Sequence, residues 1–356
     1  MEKANNGCSF NIMDVTLRDG SYAINFSFTL NQTKLICKNL EDAGVNYIEV
    51  GHGIGLNASS FPGQKALHND DEYLLAAKQA CKKSKIGVFC IPGIASLEHL
   101  KRAIDCGLDF VRIGTNTDKV KESEKFIKLA KNNNIEVFAN YMKSYTLSPQ
   151  EFAINTKFSR DCGADVVYIV DSAGGMFYGE IKQYYQAIRN ASDIKIGFHA
   201  HDNLGLAIAN NLACVEMGVD FIDCSLQGLG RSSGNASSEI LVAALEKKGY
   251  HTNIDLLKLV ETGHRYVLPL ISSCGREALD IISGYADFHS SYMSYIEKYS
   301  REYGINPLEL IIEYSKEDKV NMDEHLLCKT SQKVKDSCGD RTSNYNFNRY
   351  FGHEQN

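Results

Sequence analysis

One pattern repeats along the chain from residue 10 to about residue 250: a short apolar run, a turn rich in glycine or small polar residues, and an amphipathic stretch. Eight apolar runs follow this pattern, and they read FNIMDVTL, VNYIEVGHG, KIGVFCIPG, LDFVRIG, IEVFANYM, DVVYIVDS, IKIGFHAHD and VDFIDCSLQG. Strands of this kind that alternate with helices are typical of a parallel sheet covered by helices. Eight units in roughly 250 residues predict an α/β fold, the (β/α)8 TIM barrel.

The competing architecture is an open, doubly wound sheet, which usually has fewer strands and often a glycine-rich phosphate loop after the first one. In this chain the first strand leads into TLRDGSYA, which has no GxGxxG pattern, so the barrel is favoured. Active sites of TIM barrels are built at the carboxyl ends of the strands and on the loops that follow. Polar residues that end strands are therefore the candidates for function.

The pattern changes after about residue 265. The segment REALDIISGYADFHSSYMSYIEKYSREYGINPLELIIEYSKED is helix-like throughout, and the final stretch SCGDRTSNYNFNRYFGHEQN is polar with no apolar period. We therefore predict a TIM-barrel catalytic domain over residues 1–265, a C-terminal helical domain over 266–335 and a flexible tail over 336–356.

Composition argues against several other classes of protein. Hydrophobic residues make up 44% of the chain and charged residues 23%, as in soluble globular proteins. A net charge of -6 argues against a nucleic-acid-binding surface, and no window has the length and apolarity of a signal peptide or a membrane span. The 11 cysteines are scattered without a CxxC pair, as reduced thiols are. We expect a cytoplasmic protein that binds neither nucleic acid nor membrane.

Two histidines end the seventh strand, in FHAHDN. His199 and His201 are two residues apart, so in a strand both side chains point to the same face. Two hydrogen-bonded core histidines are the plainer interpretation, but the position at the carboxyl end of a barrel strand favours a metal site. Asp19, which ends the first strand, can supply a third ligand. One carboxylate and two imidazoles suit Mn²⁺, Mg²⁺, Co²⁺ or Zn²⁺ acting as a Lewis acid.

Other strand ends also carry polar residues. Arg18 precedes the carboxylate of Asp19, and taken alone the two could form an ion pair that closes the barrel end. Ser172 follows strand six in DSAGG, where the glycines let backbone approach a ligand. Asn235, after strand eight, either lies near the metal or caps the next helix, and capping is favoured. His52, after strand two, could orient a ligand, act as a gate or simply pack.

Five motifs, in their order and spacing, resemble the metal-dependent lyase and aldolase family of TIM barrels that includes 3-hydroxy-3-methylglutaryl-CoA lyase and isopropylmalate synthase. The motifs are DVTLRDGSYAI, EVGHGIGLNASSF, DSAGG, GFHAHDNLGLAIAN and GLGRSSGNASSEI. Within this family, HGIGLNASSF, IPGIASLEHLK and LDIISGYADFHSSYMSYIEKYSREYGINPLELI most resemble 4-hydroxy-2-oxovalerate aldolase. The resemblance covers residues 10 to 330 or so.

The resemblance implies a divalent-metal-dependent, class II aldolase, a carbon–carbon lyase that cleaves or forms a 4-hydroxy-2-oxo acid from pyruvate and an aldehyde. It implies that Asp19, His199 and His201 hold a divalent metal, Mn²⁺ before Mg²⁺, Co²⁺ or Zn²⁺. It also implies that Arg18 stabilises the pyruvate enolate, with Ser172 near the pyruvate carboxylate and His199 in contact with substrate. The chemistry agrees, because an enolate requires a Lewis acid and a fixed cation.

Two departures from the family concern the base that takes the proton of the C4 hydroxyl. The family has a histidine in RDGSH where this chain has Tyr22, and a tyrosine in GVYSSF where this chain has His289. A neutral imidazole is a competent base at cellular pH, whereas a phenol mostly donates. We hypothesise that His289 is the base and that Tyr22 orients the hydroxyl or carbonyl. The alternative is that the two positions changed independently and one residue merely packs.

A further departure is FCIPG in strand three, where the family has a leucine-rich run that helps to size the aldehyde pocket. Phe89 and Ile91 would alter that pocket, so the aldehyde need not be acetaldehyde. The resemblance also implies an acylating aldehyde dehydrogenase as a partner and a homo- or hetero-oligomer. Two other functions are a Claisen-type acyl-CoA lyase or synthase of the same superfamily, and a non-catalytic partner of the dehydrogenase. Against the former, the chain has no cysteine-bearing glycine-rich lid.

Overall fold

The structure is a computed structural model that describes residues 10–271, 277–338, 345–347 and 350. Its strands are β1 (Asn11–Leu17), β2 (Tyr47–Val50), β3 (Lys85–Cys90), β4 (Phe110–Asn116), β5 (Glu136–Met142), β6 (Val166–Asp171), β7 (Lys195–Ala200) and β8 (Phe221–Cys224). They form a closed parallel barrel in sequence order, with β8 paired to β1. Each overlaps one of the predicted strand runs, and the predicted TIM barrel is confirmed.

One helix follows each strand: α1 (Leu30–Ala43), α2 (Asp70–Ala80), α3 (Leu97–Asp105), α4 (Glu124–Asn132), α5 (Pro149–Cys162), α6 (Tyr178–Ala191), α7 (Ala207–Met217) and α8 (Ser238–Lys247). Local sequence sets several of their ends. The side chain of Thr29 accepts the backbone N–H of Gln32 and the side chain of Gln32 accepts that of Thr29, which is a capping box at the start of α1. The same helix ends at Gly44, whose φ of 99° is easy for glycine.

The inside of the barrel is packed with side chains. Its apolar cluster consists of Met13, Val15, Tyr47, Phe110, Phe138, Val166, Tyr168, Val170 and Phe221. Glycine is needed where the largest rings lie: a Cβ on Gly87 would stand 2.2 Å from the Phe110 ring, and one on Gly197 would stand 2.2 Å from the Tyr168 ring. Because the interior is filled, space for a small molecule remains at the carboxyl end of the strands.

In the described part of the chain, five further α-helices follow the eight strand–helix units: α9 (Leu256–Thr262), α10 (Ala278–Ala286), α11 (Met293–Tyr303), α12 (Pro307–Ser315) and α13 (Glu324–Cys338). Leu259 of α9 packs in the barrel's main core, whereas α10 to α13 share a second apolar cluster that includes Phe288, Met293 and Leu310. Among the described residues, no helix has both the length and the apolar character needed to cross a bilayer.

The domain bounds drawn from the sequence remain predictions. The flexible tail predicted for residues 336–356 lies for the most part outside the described residues. Of its described residues, Phe347 and Tyr350 are buried and belong to the second apolar cluster. The hydroxyl of Tyr350 donates to Asp280 Oδ1 at 2.9 Å.

Candidate active site

Asp19, His199 and His201 lie together at the carboxyl end of the barrel. Asp19 comes two residues after the end of β1, His199 is in β7 and His201 directly follows β7. One ligand atom from each residue lies within 4.8 Å of the other two, and all three side chains are buried. The spacing of two residues brings the imidazole rings to a centroid separation of 5.2 Å. The structure thus brings together the three residues predicted as metal ligands.

The protonation states of these residues suit a cation. Burial by itself raises the pKa of Asp19, but the charge of Arg18 and the hydrogen bond from Asn235 are among the contributions that hold it well below its usual value. Burial lowers the pKa of His201 to about 4, so this imidazole is neutral at cellular pH. Its Nδ1 is buried and has no hydrogen-bond partner among the described residues. An anionic carboxylate and a neutral imidazole with an orphaned nitrogen fit a divalent metal.

Asn235 lies beside this group. Its Nδ2 donates to Asp19 Oδ2 at 2.8 Å, and its Oδ1 is buried without a partner in the described part of the chain. The residue that caps α8 is Ser237, whose side chain accepts the backbone N–H of Ile240. The sequence interpretation that favoured helix capping for Asn235 is therefore wrong, because the helix begins two residues further along than it assumed.

A carboxylate that the sequence reasoning missed orients His199. Asp223 in β8 accepts a hydrogen bond from His199 Nδ1 at 2.9 Å and another from the Tyr168 hydroxyl at 2.9 Å. Burial raises the pKa of Asp223, but the charge of Arg112 more than offsets this and holds the pKa below its usual value. A carboxylate that accepts Nδ1–H leaves Nε2 of the imidazole for a cation.

Asp223 is one end of a row of buried ion pairs that crosses the barrel. Arg112 pairs with Asp223 at 2.7 Å and with Glu49 at 3.2 Å, and Glu49 Oε2 accepts the Nε of Arg18 at 2.7 Å. This row of ion pairs connects Arg18, the residue predicted to stabilise the enolate, with the metal-ligand candidate His199. Glu49, Arg112 and Asp223 are the single charged residues of β2, β4 and β8, so the sequence indicates buried charges there but does not show which of them pair.

Replacing Asp223 with asparagine is expected to weaken divalent-metal binding by about tenfold to a hundredfold, because the imidazole of His199 loses the charge that fixes its orientation and basicity. Equilibrium dialysis with Mn²⁺ measures the effect. Asp220→Asn is the matched control, since Asp220 lies directly before the start of β8 and the change breaks its pair with Arg189 at 2.9 Å. Equal affinities of wild type and Asp223→Asn would show that Asp223 has no part in metal binding.

Arg18 is held in place on three sides. Its guanidinium donates to Glu49, to Asp19 Oδ1 at 2.6 Å and to the carbonyl of Gly53 at 3.4 Å. The guanidinium carbon lies 4.7 Å from the centroid of the Phe89 ring. Burial lowers the pKa of Arg18, but the two carboxylates more than offset this and raise it. A permanently charged, oriented guanidinium is suited to binding an anion.

A narrow cavity lies above these groups. Its lining residues are Arg18, Asp19, Gly53, Phe89, Asn140, Met142, Val170, Ser172, His199, His201, Arg231 and His289. Six of the seven residues predicted for the site are among them, and Tyr22 is not. Of the two residues expected to alter the aldehyde pocket, Phe89 lines the cavity, whereas Ile91 is fully buried and is not part of the lining.

The hydroxyl of Ser172 accepts the backbone N–H of Lys143 at 2.9 Å, which fixes the side chain at the cavity. The neighbouring Asp171 turns away from the opening. Its carboxylate accepts the backbone N–H groups of Gly175 at 3.1 Å and Met176 at 3.0 Å, and burial raises its pKa to about 7. Asp171 therefore shapes the loop after β6.

His289 and Tyr22 have different surroundings. His289 lines the cavity, and its Nδ1 lies 2.6 Å from the hydroxyl of Ser291. Burial, with the charges of Arg231 and Lys143, lowers the pKa of His289 well below its usual value. Tyr22 is buried, and its ring lies 4.8 Å from the guanidinium carbon of Arg231, a cavity residue that the sequence reasoning did not single out. The roles predicted for His289 and Tyr22 stay predictions.

His52 is a buried positioning residue. Its Nδ1 accepts the backbone N–H of Ile54 at 3.1 Å, so the proton is on Nε2, which lies 2.7 Å from the carbonyl of Gln64. The imidazole stacks on Phe26 with the ring centroids 3.9 Å apart. It therefore holds the loop after β2, which presents Gly53 to Arg18.

The pH dependence of stability should show this burial. Burial lowers the pKa of His52 from 6.5 to about 4, so below pH 6.5 the unfolded chain binds a proton that the folded chain does not. Stability is therefore lost as the pH falls from 6.5 towards 4. Between about pH 7.5 and about pH 5, His52→Gln should lose about 2 kcal/mol less unfolding free energy than wild type, measured with urea. His251→Gln, which changes an exposed histidine, is the control. An unchanged pH dependence in His52→Gln would refute the lowered pKa of His52.

Comparison with known proteins places the chain in a family. The sequence profile of the HMGL-like family matches residues 9–265. The chain belongs to the HMGL-like family. A relative from Geobacillus genomosp. 3, named 4-hydroxy-2-oxovalerate aldolase, is 39% identical over 312 residues, or 87% of this chain and 92% of the relative. A protein of the same name from Pelotomaculum thermopropionicum is 37% identical, over 88% of this chain and 92% of its own.

Solved structures show the same barrel fold. The 3-hydroxy-3-methylglutaryl-CoA lyase of Bacillus subtilis has a TM-score of 0.65 at 18% identity, over 74% of this chain and 95% of the lyase. The carboxyl transferase domain of Rhizobium etli pyruvate carboxylase has a TM-score of 0.74 at 16% identity, over 92% of this chain and 61% of that domain. The resemblance drawn from the motifs is confirmed, and with it the assignment of the chain to the aldolase and lyase enzymes of this family.

Proposed function

We propose that the chain is a class II aldolase that cleaves or forms a 4-hydroxy-2-oxo acid from pyruvate and an aldehyde, with Mn²⁺ as its metal. The observation that carries the proposal is the meeting of Asp19, His199 and His201 with Arg18 at one buried cavity. The names of the HMGL-like relatives, 4-hydroxy-2-oxovalerate aldolase, support the same reaction class. A metal site alone or a buried guanidinium alone would suit many reactions, but the two together suit a reaction through an enolate.

The pyruvate half is stabilised by charge. Asp19, His199 and His201 would hold a divalent ion, which would supply Lewis-acid polarisation of the 2-oxo group. The guanidinium of Arg18, fixed by Glu49 and the Gly53 carbonyl, meets the negative charge that develops on the enolate oxygen. Because the guanidinium is already oriented, little reorganisation is needed as the charge forms.

Uncharged protein groups contact the rest of the substrate in this proposal. The hydroxyl of Ser172, held by the backbone of Lys143, donates to the pyruvate carboxylate in this proposal.

Cleavage also requires that the C4 hydroxyl lose a proton. His289 is a neutral imidazole at the cavity and takes this proton, and a proton is returned to the methylene carbon of the enolate when pyruvate forms. Tyr22 acts indirectly, through the guanidinium of Arg231 on its ring.

Replacing His289 with alanine is expected to lower kcat for aldol cleavage about a hundredfold, because the change removes the imidazole that takes the hydroxyl proton. Steady-state cleavage measured across pH tests this expectation. Tyr22→Phe keeps the ring under Arg231 and removes only its hydroxyl, so a smaller decrease, about tenfold or less, is expected. If His289→Ala retains full kcat, His289 is not the base.

The reaction itself is tested by following pyruvate release from a series of 4-hydroxy-2-oxo acids with added Mn²⁺, Mg²⁺, Co²⁺ or Zn²⁺. Metal-dependent release of pyruvate is expected. The alternative Claisen-type reaction would instead release a thiol from acetyl-CoA in the presence of a 2-oxo acid. Thiol release without pyruvate formation would replace the proposed function. Binding of an acylating aldehyde dehydrogenase, and assembly into oligomers, remain predictions.

A further inference from the structure

We propose that Arg231 makes this enzyme selective for aldehydes that carry an anionic group, a carboxylate or a phosphate. This inference rests on the proposed aldolase function and specifies its second substrate. It concerns a side chain that the motifs did not point to, although it lies in GLGRSSGNASSEI.

Arg231 lies where the second substrate would meet the first. It is on the loop after β8, it is buried, and it is one of the lining residues of the cavity. Its backbone N–H donates to Asp19 Oδ2 at 3.3 Å, so the residue is tied to the group of metal-ligand candidates. On the other side, its Nε donates to Ser290 Oγ at 2.7 Å, next to His289. Arg231 therefore spans the distance from Asp19 to the proposed base.

The guanidinium of Arg231 is oriented before any ligand arrives. Its central carbon lies 4.8 Å from the centroid of the Tyr22 ring, and its Nη1 donates to the Tyr22 hydroxyl at 3.4 Å. With the hydrogen bond to Ser290, these contacts fix the plane of the guanidinium. An oriented guanidinium presents donors in the fork that carboxylate and phosphate groups match. Tyr22, the residue at which this chain departs from its family, thus positions Arg231.

Two of the described residues that line the cavity, Arg18 and Arg231, carry guanidinium groups, and the carboxylate of Asp19 lies beside Arg18. Arg18 is oriented by Glu49 and Asp19, and in the proposed function it would stabilise the pyruvate enolate. Arg231, close to the proposed base His289, then lies beside the part of the substrate that comes from the aldehyde.

The electrostatics around His289 agree with this arrangement. After burial, the positive charges of Arg231 and Lys143 are the largest causes of its lowered pKa, so both cations act on the same part of the site. Lys143 comes from the loop after β5, and its Nζ donates to the Tyr292 hydroxyl at 2.6 Å. An anion bound by Arg231 would cancel part of this positive field and return His289 towards the pKa of an effective base.

The wild-type enzyme with bound Mn²⁺ provides the first test. Pyruvate is offered with matched aldehydes: butanal against 4-oxobutanoate for the carboxylate, and glyceraldehyde against glyceraldehyde 3-phosphate for the phosphate. We expect kcat/KM to be at least about tenfold higher for one or both anionic members, and the two pairs tell which anion is recognised. Equal or better use of both neutral aldehydes would overturn the proposal, whatever any variant does.

The second test removes the charge. In Arg231→Met the ratio of kcat/KM between the preferred anionic aldehyde and its neutral match should fall roughly tenfold to a hundredfold, and Arg231→Lys should restore part of it. Arg102→Met, which removes a surface arginine paired with Asp71, is the control and should keep the wild-type ratio. A ratio unchanged in Arg231→Met would refute the role of Arg231.

Failure of this inference can be separated from failure of the proposed function. Exchange of the pyruvate methyl protons with solvent deuterium requires the enolate but no aldehyde. Exchange by wild-type enzyme without preference for anionic aldehydes would overturn the inference alone. Absence of exchange and of aldol product would overturn both.

Discussion

Replacing Asp19 with asparagine is expected to reduce aldol cleavage at least about a thousandfold and to remove tightly bound divalent metal. Asparagine has the shape of aspartate, so hydrogen bonds from the Asn235 amide and the Arg231 backbone N–H can persist. What is lost is the negative charge that Arg18 stabilises, and that charge is what a divalent ion needs. Metal content per chain and pyruvate release measure the two effects.

Asp161→Asn is the matched control for Asp19→Asn, because it makes the same chemical change at an exposed position of α5. It should keep both metal and activity. A folded Asp19→Asn enzyme that binds metal and cleaves substrate at the wild-type rate would contradict the assignment of Asp19. A circular dichroism spectrum like that of wild type shows that the variant is folded.

Replacing Arg18 with methionine is expected to lower kcat about a thousandfold while metal remains bound. The methionine chain fills much of the same space against the Phe89 ring but cannot meet the charge of the enolate. Arg18→Lys restores the charge without the planar fork that serves Glu49 and the Gly53 carbonyl together, so activity should recover only in part.

The measurement for Arg18 is a comparison of metal content and turnover on the same samples. Arg18→Met also leaves the Glu49 carboxylate without one of its two cations, and the unfolding free energy should fall. For that reason the turnover is compared at a temperature where all variants are folded. Full kcat in Arg18→Met would show that the enolate is stabilised by other groups.

The barrel and the metal-ligand candidates were within reach of sequence reasoning because both depend on local periodicity. Eight strand runs separated by helices have one common solution, and a spacing of two residues in a strand puts His199 and His201 on one face. The position of Asp19 at the end of β1 followed from the same barrel geometry. These features are therefore direct consequences of the alternation of residues along strands.

Features that depend on contacts between distant elements were out of reach. Asp223 orients His199 from the neighbouring strand, yet in the sequence it is one acidic residue in an apolar run. Arg231 owes its place to Tyr22 and Ser290, which lie far from it along the chain. Sequence alone does not give the rotamers that bring such residues together.

In the proposed function the metal-ligand candidates and Arg18 together generate a pyruvate enolate, and exchange of pyruvate methyl protons with deuterium, followed by NMR, tests this step most directly. We predict exchange by wild-type enzyme with Mn²⁺, its loss after chelation, and at least about a hundredfold slower exchange in Asp19→Asn and Arg18→Met. Absence of exchange by metal-loaded wild-type enzyme, or equal exchange in these two variants, would contradict the claim.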